Sequence, residues 1–180
     1  MTAIDSKTKF VLAEIVVVER TLEACIEFLQ QIKRWCYSQM LETYKHESKK
    51  PAKKRRLIVF VSDKFVNYKT SWKKLFYGIT ILRFGVPIAC KKFGLKHNNN
   101  SVERHNRELS RRFDALNVFQ THQGAQSTST LCKILHNYVN LHSMLDEKTP
   151  AQCAGLILPL GRNKLLDLIK IARKAEMTTS

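Results

Sequence analysis

Two carboxylates stand out in this sequence because each lies where its side chain could bind a metal ion. Asp63 directly follows the apolar run at residues 57–62, and Glu103 lies among asparagines and arginines in the stretch NNNSVERHNRELSRR at residues 98–112. Carboxylate oxygens are the ligands that Mg²⁺ prefers, and two-metal phosphoryl transfer places such ligands on a surface that attracts phosphate. Together, Asp63 and Glu103 predict a phosphoryl-transfer site that uses Mg²⁺ or Mn²⁺.

Each of these carboxylates also has a purely structural explanation. An acidic residue in the first turn of a helix is stabilised by the helix dipole, and Arg107 lies four residues after Glu103, at the spacing of an ion pair. An aspartate in front of a helix, as Asp63 is, commonly caps it. The structural explanation accounts for either residue alone, whereas the pair in one cationic protein favours metal chemistry.

The charge of the chain points to a polyanionic partner. Thirty-one Lys and Arg residues against 15 Asp and Glu give a formal net charge of +16, and nucleic acid is the commonest polyanion that such an excess attracts. The basic segment at residues 45–56 is interpreted either as a phosphate contact or nuclear-import signal, or as a solvated turn. The residues expected to bind DNA are Lys53, Lys54, Arg55, Arg56, Asn99, Arg104, Arg107, Arg111 and Arg112.

The apolar pattern predicts an α/β arrangement in residues 1–84, a loop at 85–98 and helices in 99–180, all within one domain. A strand–helix–strand unit is expected around Asp63, which places this residue at the carboxyl end of a buried strand, where α/β sheets position functional groups. Thr21 is the predicted cap of a helix that runs to about Met40. The predicted strands are residues 10–18, 57–62 and 79–84, and the further predicted helices are 67–76, 101 to 116 or 119, 125–145 and 163–174.

Several other classes of protein are not indicated. No apolar run approaches the roughly 18 to 20 residues of a membrane-spanning helix, and the first 20 residues lack the pattern of a signal peptide, so an intracellular protein without membrane contact is expected. The cysteines are odd in number and contain no C-x-x-C pair, which favours reduced thiols over a disulfide framework or zinc site. They are Cys25, Cys36, Cys90, Cys132 and Cys153.

Four stretches of the chain together resemble one family of enzymes. They are AIDSKTKFVLAEIVVVERTLEAC at residues 3–25, VSDKFVNY at 61–68, NNNSVERHNRELSRR at 98–112 and KTPAQCAGL at 148–156. In combination they resemble the DDE transposases of bacterial and archaeal insertion sequences, which are relatives of retroviral integrases in the ribonuclease H-like superfamily. Asn106 and Ser110 differ from the His and Lys that many members have at these positions.

The resemblance implies a fold, a reaction and partners. The fold would be a ribonuclease H-like three-layer core, an incomplete mixed sheet flanked by helices, with an all-helical C-terminal part. Asp63 and Glu103 would be the second and third catalytic, metal-binding carboxylates in strand cleavage and joining that depends on Mg²⁺ or Mn²⁺. The partners would be DNA, as transposon ends and target, and further copies of the chain in a homodimer or higher synaptic oligomer. The location would be cytoplasmic and nucleoid-associated, in a prokaryote.

One part of the family pattern has no counterpart. The family's first aspartate lies on a strand upstream of the turn that Asp5 matches, so the sequence predicts a truncated transposase whose core is inactive alone. Loss of this strand would leave two metal ions under-coordinated and would expose backbone groups and apolar sheet surface. Two alternatives remain open: a non-enzymatic DNA-binding protein with structural carboxylates, and a small nuclease with Asp5 as third ligand, which requires Asp5 on a strand next to Asp63.

Overall fold

The structure, a computed structural model, describes residues 1–84, 100–115 and 121–179, and within them it is a mixed α/β fold. The strands are β1 (Thr2–Ile4), β2 (Val11–Glu14), β3 (Val59–Ser62) and β4 (Ile81–Phe84). The α-helices are α1 (Leu22–Ser48), α2 (Val66–Phe76), α3 (Asn100–Ala115), α4 (His122–Ile134), α5 (Pro150–Cys153) and α6 (Lys164–Thr179). Single turns of 3₁₀-helix occur at Ala52–Lys54 and Ser143–Leu145, and a π-helical turn at Leu135–Val139.

The strands form two separate two-stranded sheets. β1 pairs antiparallel with β2, with Ala3 opposite Ala13, and β3 pairs parallel with β4, with Val59 opposite Ile81. The parallel pair and α2 are the strand–helix–strand unit predicted from the sequence. The resemblance implies an incomplete mixed sheet, and in the described residues no ladder joins β1 to β3. Each ladder therefore has an edge without a neighbouring strand.

Helix α1 is the longest helix in the described residues and organises the core. The Thr21 side chain accepts a hydrogen bond from the Ala24 amide, which is the predicted cap. The helix continues eight residues beyond the predicted end at Met40, because no glycine or proline interrupts the sequence before Pro51. Its buried side chains pack with residues of β2 and α2 in one cluster: Ala13, Ile15, Phe28, Leu29, Ile32, Met40, Trp72 and Phe76.

The opposite face of β2 contacts the helices of the C-terminal half. Side chains alternate between the two faces of a strand, so Glu14 points away from the face on which Ala13 joins the α1 cluster. Glu14 contacts His105 on α3 and Ser129 on α4. Helices therefore cover both faces of β2.

The C-terminal half departs from the predicted helix boundaries in ways that tertiary contacts explain. The helix predicted at 125–145 ends as α4 at Ile134 and continues as the π-helical turn, where the buried Asn137 amide donates to the Val11 carbonyl and accepts from the Val11 amide. The predicted cap at Asn100 or Ser101 is wrong, because both residues lie inside α3. Pro150 occupies the first turn of α5 as predicted, behind a capping box formed by Thr149 and Gln152.

Two further predictions concern segments that lie inside, or next to, the parts of the chain that the structure does not describe. The whole loop predicted at 85–98 and residues 116–119 of the predicted helix lie outside the described residues. The last helix extends five residues past its predicted end, to Thr179. In the part of the chain that the structure describes, no helix has both the length and the apolar character needed to cross a membrane.

The core predicts a difference between two substitutions on α1. Ile32→Ala removes a side chain that is 1% exposed, and we expect the free energy of unfolding to fall by about 2–5 kcal/mol, because a buried cavity remains. Trp35→Ala alters a side chain that is 75% exposed on the same helix, and should change this free energy by less than about 1 kcal/mol. Urea unfolding followed by circular dichroism measures both, and equal losses would contradict the assigned burial.

Candidate functional site

An open groove with a volume of about 1050 Å³ separates the edges of the two sheets. One wall is β1 with the residues that follow it, and the other wall is β3 with Asp63 and Lys64 at its carboxyl end. Apolar side chains of α1, including Phe28 and Ile32, form its base, and α3 contributes Glu103. Asp63 and Glu103, which are separated by 39 residues in the sequence, therefore line the same groove.

Asp63 lies at the end of β3, as predicted, but its carboxylate has protein partners. Oδ2 accepts a hydrogen bond from the Arg20 guanidinium at 2.8 Å, and Oδ1 accepts from the Phe65 amide at 3.3 Å. The Arg20 guanidinium also lies 4.5 Å from the centroid of the Phe65 ring. Both members of the ion pair are 47% exposed, so the pair is worth at most about 1 kcal/mol and a stronger ligand could displace it. Arg20 carries no sequence signal that would have linked it to Asp63.

Glu103 lies in the first turn of α3, exposed and on the border of the groove. The ion pair with Arg107 that would explain it structurally is absent from the described residues; Glu108 instead pairs with Arg111 at 3.9 Å and Arg112 at 3.2 Å. The dipole of α3 is the remaining structural explanation of Glu103.

Asp5 borders the same groove but does not lie on a strand beside Asp63. It follows β1, and its Oδ2 accepts hydrogen bonds from the Thr8 amide at 2.8 Å and the Thr8 hydroxyl at 2.5 Å. These bonds hold the turn between β1 and β2. The small-nuclease alternative requires Asp5 to lie on a strand next to Asp63, and this requirement is therefore not met.

The three groove carboxylates do not make a ready metal centre. Among the described residues, no group of three or more His, Cys, Asp or Glu side chains converges as metal ligands. Asp5 is committed to Thr8, Asp63 is committed to Arg20, and Glu103 is exposed to solvent. Two-metal catalysis needs a carboxylate shared by both ions, so the described residues do not fit a complete two-metal site.

The basic segment at residues 45–56 begins in the last turn of α1 and continues as an ordered turn beyond Ser48. Hydrogen bonds from the Lys50 ammonium and the Arg56 amide lower the pKa of the buried Glu47 to about 2. The Arg55 guanidinium donates to the carbonyl oxygens of Ser48 and Lys50, so it fastens the turn and is less available to a phosphate. Sequence reasoning treated Glu47 as one acidic residue in a basic run and missed this role.

The remaining side chains of the basic segment are available for binding. Lys53, Lys54 and Arg56 are exposed, and within the described ranges their side chains make no hydrogen bond or ion pair. Such side chains can neutralise phosphates without first breaking an internal contact.

The predicted arginines of α3 fall into two groups. Arg107 is exposed and has no side-chain partner among the residues described. Arg111 and Arg112 share Glu108, and Arg104 lies 3.7 Å from the Met144 sulfur. The predicted contact residue Asn99 lies outside the described residues. Arg107 is therefore the helix residue best able to add a phosphate contact.

A buried polar cluster anchors α3, and sequence reasoning did not find it. The Glu14 carboxylate accepts hydrogen bonds from His105 Nε2 at 2.7 Å and from the Ser129 hydroxyl. The rings of His105 and His136 lie 4.9 Å apart, and His136 Nε2 donates to the Lys9 carbonyl at 2.9 Å. Burial lowers the pKa of His136. A glutamate inside an otherwise apolar strand was the one available signal of a buried partner.

This cluster predicts that acid destabilises the protein. The folded state holds His136 neutral because its pKa lies below the ordinary value of 6.5, so the unfolded chain binds more protons as pH falls through and below that value. We expect the free energy of unfolding to decrease as pH falls from 7.5 to 5.0. His136→Gln, which keeps a donor for the Lys9 carbonyl, should flatten this dependence in urea unfolding, whereas His122→Gln, at an exposed histidine, should preserve it. Equal slopes in all three proteins would contradict the role of His136.

Comparisons with known proteins found no matching family model, no matching curated protein and no matching solved structure. The assignment to the transposase family therefore rests on the four sequence stretches and on the groove that unites two of their carboxylates.

Proposed function

We propose that this chain is a DNA-binding protein of the DDE-transposase type, with a ribonuclease H-like core that does not complete a metal site on its own. The observation that carries the proposal is the groove bordered by both Asp63 and Glu103, in a protein with a net charge of +16. Its role would be to bind and orient a DNA backbone. Strand cleavage and joining would need a further carboxylate that the described residues do not supply.

The surroundings of the carboxylates support this proposal. Asp63 follows the first strand of a parallel pair, which is where α/β folds position groups that act on phosphate. Glu103 enters from a separate helix, and the ion pair that would have tied it to Arg107 is absent from the part of α3 that is described. Two carboxylates that line one groove of a cationic protein repel phosphate unless they have another function, and binding of a divalent ion is such a function.

Contacts with DNA would come from cationic side chains that the fold leaves free. Lys53, Lys54 and Arg56 project from the basic turn, and Arg107 projects from the helix that carries Glu103. Neutralisation of phosphates by such residues releases counterions, so the affinity would depend steeply on salt and weakly on sequence.

A non-enzymatic DNA-binding protein is the second candidate, and one observation favours it. The Asp63 carboxylate already bridges Arg20 and the Phe65 amide, which is a structural use of this residue. In that case divalent ions would have no effect at the groove, whereas the transposase-type proposal predicts that Asp63 and Glu103 bind an ion together.

DNA binding is tested by its salt dependence. Fluorescence anisotropy with a 20-base-pair duplex between 50 and 200 mM NaCl should give a linear fall of the logarithm of the association constant with the logarithm of salt concentration. Lys53→Ala combined with Lys54→Ala should reduce the magnitude of the slope by about 2, and Arg107→Ala by about 1. Arg173→Ala combined with Lys174→Ala on α6 removes the same charge as the first pair and should leave the slope unchanged. Equal effects of the two pairs would assign binding to net charge alone.

The two candidates are separated by the paramagnetic ion Mn²⁺. With the chain bound to DNA, we expect Mn²⁺ to broaden the amide resonances around Asp63 and Glu103, because two carboxylates make a weak site. Asp63→Asn and Glu103→Gln should each abolish this broadening, and Asp114→Asn, at an exposed carboxylate of α3, should retain it. Absence of this broadening in the unsubstituted chain would favour the non-enzymatic candidate, for which divalent ions have no effect at the groove.

The same proteins provide an activity assay. Plasmid nicking and strand joining in Mn²⁺ should stay at background for this chain. Efficient joining would contradict the proposal that its metal site is incomplete. If plasmid nicking occurs and is lost in Asp5→Asn as well as in Asp63→Asn and Glu103→Gln, Asp5 would be the third metal ligand.

A further inference from the structure

The charged side chains that line the groove are unevenly distributed. Asp5 and Glu103 place negative charge on it from the residues after β1 and from α3, and Asp63 does so from the end of β3. Two cations of the described residues, Arg20 and Lys64, also line it. Both lie at the Asp63 end, because Arg20 contacts Asp63 and Lys64 follows it in the sequence. Among these side chains, only those at the Asp63 end can attract a phosphate.

Contacts hold Arg20 in place from its backbone to its guanidinium. Its carbonyl oxygen accepts a hydrogen bond from the Asn67 side chain at 2.9 Å, and its Nη1 donates to Asp63 Oδ2 at 2.8 Å. The guanidinium also lies 4.5 Å from the centroid of the Phe65 ring. Because these contacts already restrict the side chain, a ligand that binds to it has less conformational freedom to remove. The guanidinium is therefore pre-organised for binding.

Most of the hydrogen-bonding capacity of this guanidinium is unused. An arginine side chain has five N–H donors, and among the described residues only Nη1 of Arg20 has an acceptor. Nε and Nη2 form another edge of the planar group, on which two N–H bonds are nearly parallel. Such an edge matches two oxygens of one phosphate group. The Arg20 side chain is 47% exposed, so it is open to a ligand from solvent.

Lys64 provides a second cation without a competing contact. Its side chain is exposed and lines the groove, and within the described ranges it makes no hydrogen bond or ion pair. A lysine attracts phosphate as a mobile point charge, whereas the fork of an arginine also fixes its orientation. The two cations outnumber the one carboxylate that they adjoin, Asp63, so this end of the groove favours an anion.

We propose that Arg20 and Lys64 bind one phosphodiester of the DNA backbone at the Asp63 end of the groove. The Nε and Nη2 atoms of Arg20 donate to the two non-bridging oxygens, while Nη1 stays on Asp63. The groove is open, which suits a segment of a long polyanion, whereas small ligands are bound in sites that enclose most of their surface. This inference rests on the proposed function and deepens it, because it adds a phosphate contact outside the basic turn and α3.

The contribution of Arg20 to binding is measured with the full chain in EDTA, so that no divalent ion takes part. In fluorescence anisotropy with the same duplex, Arg20→Ala should reduce the magnitude of the salt slope by about 1. Arg20→Lys keeps the charge and loses the two-donor edge, so it should preserve the slope and lower the association constant about three- to tenfold. Arg34→Ala removes the same charge from an exposed position on α1 that does not line the groove, and it should leave the slope unchanged.

A second measurement observes the Arg20 side chain directly. In ¹⁵N–¹H correlation spectra, the Nε–H signal of Arg20 is assigned by its loss in Arg20→Lys. We expect the duplex to move this signal downfield, because a charge-assisted hydrogen bond to phosphate deshields the proton. The Nε–H signal of Arg34 should stay in place. Inorganic phosphate is the second probe, and it should move the Arg20 signal less than the duplex does.

The proposal is overturned if Arg20→Ala and Arg34→Ala have equal effects on the slope, or if the duplex leaves the Arg20 signal unmoved. A shift with inorganic phosphate and none with the duplex would identify a site for a free anion, and would also overturn it. Urea unfolding shows whether Arg20→Ala is folded. If it is not, the Arg20 signal of the unsubstituted chain decides the question.

The proposed function and this inference fail with different results. Salt-dependent binding that requires Lys53 and Lys54 and is unchanged in Arg20→Ala would retain the proposed function and reject the inference. Absence of salt-dependent binding by the unsubstituted chain would reject the proposed function, and the inference with it.

Discussion

The packing of α1 against both halves of the divided sheet is the interaction on which the rest of the structure depends. Phe28 and Ile32 pack in one cluster with Ala13 of β2 and Phe76 of α2, and no strand ladder in the described residues links the two sheets. Full burial of a large apolar side chain contributes about 1.5–3 kcal/mol, whereas an isolated two-stranded sheet is marginally stable. The position of β3, and hence of Asp63, relative to the first sheet is therefore set mainly by α1.

The buried Glu14 cluster has the corresponding role for α3. A carboxylate that is 4% exposed is tolerated because His105 and Ser129 both donate to it, and loss of either donor would leave a buried charge with fewer partners. His105 lies two residues after Glu103 on the same helix. The contact between Glu14 and His105 fixes α3 against β2. It therefore also determines where Glu103, on the same helix, lines the groove.

The groove combines two properties, acidic residues in its lining and an apolar base between strand edges that are unpaired in the described residues. Asp63 lines the groove from the end of β3, and Glu103 lines it from α3. The edges of β1 and β3 that face the groove have no neighbouring strand in the described residues. Both follow from the separation of the two sheets.

The sequence by itself determined the local features, because these depend on neighbouring residues. Thr21 as a cap, Asp63 at a strand end, Pro150 in the first turn of α5 and the parallel strand–helix–strand unit were all predictable from side-chain type and periodicity. Only the tertiary structure decided which distant groups meet: Arg20 with Asp63, Glu14 with His105, and Asn137 with the backbone of β2. These pairs are separated by 43 to 126 positions, and no periodic pattern in one chain encodes contacts over such distances. The division of the sheet was likewise beyond sequence reasoning, because strand propensity predicts where a strand forms and not which edge lacks a partner.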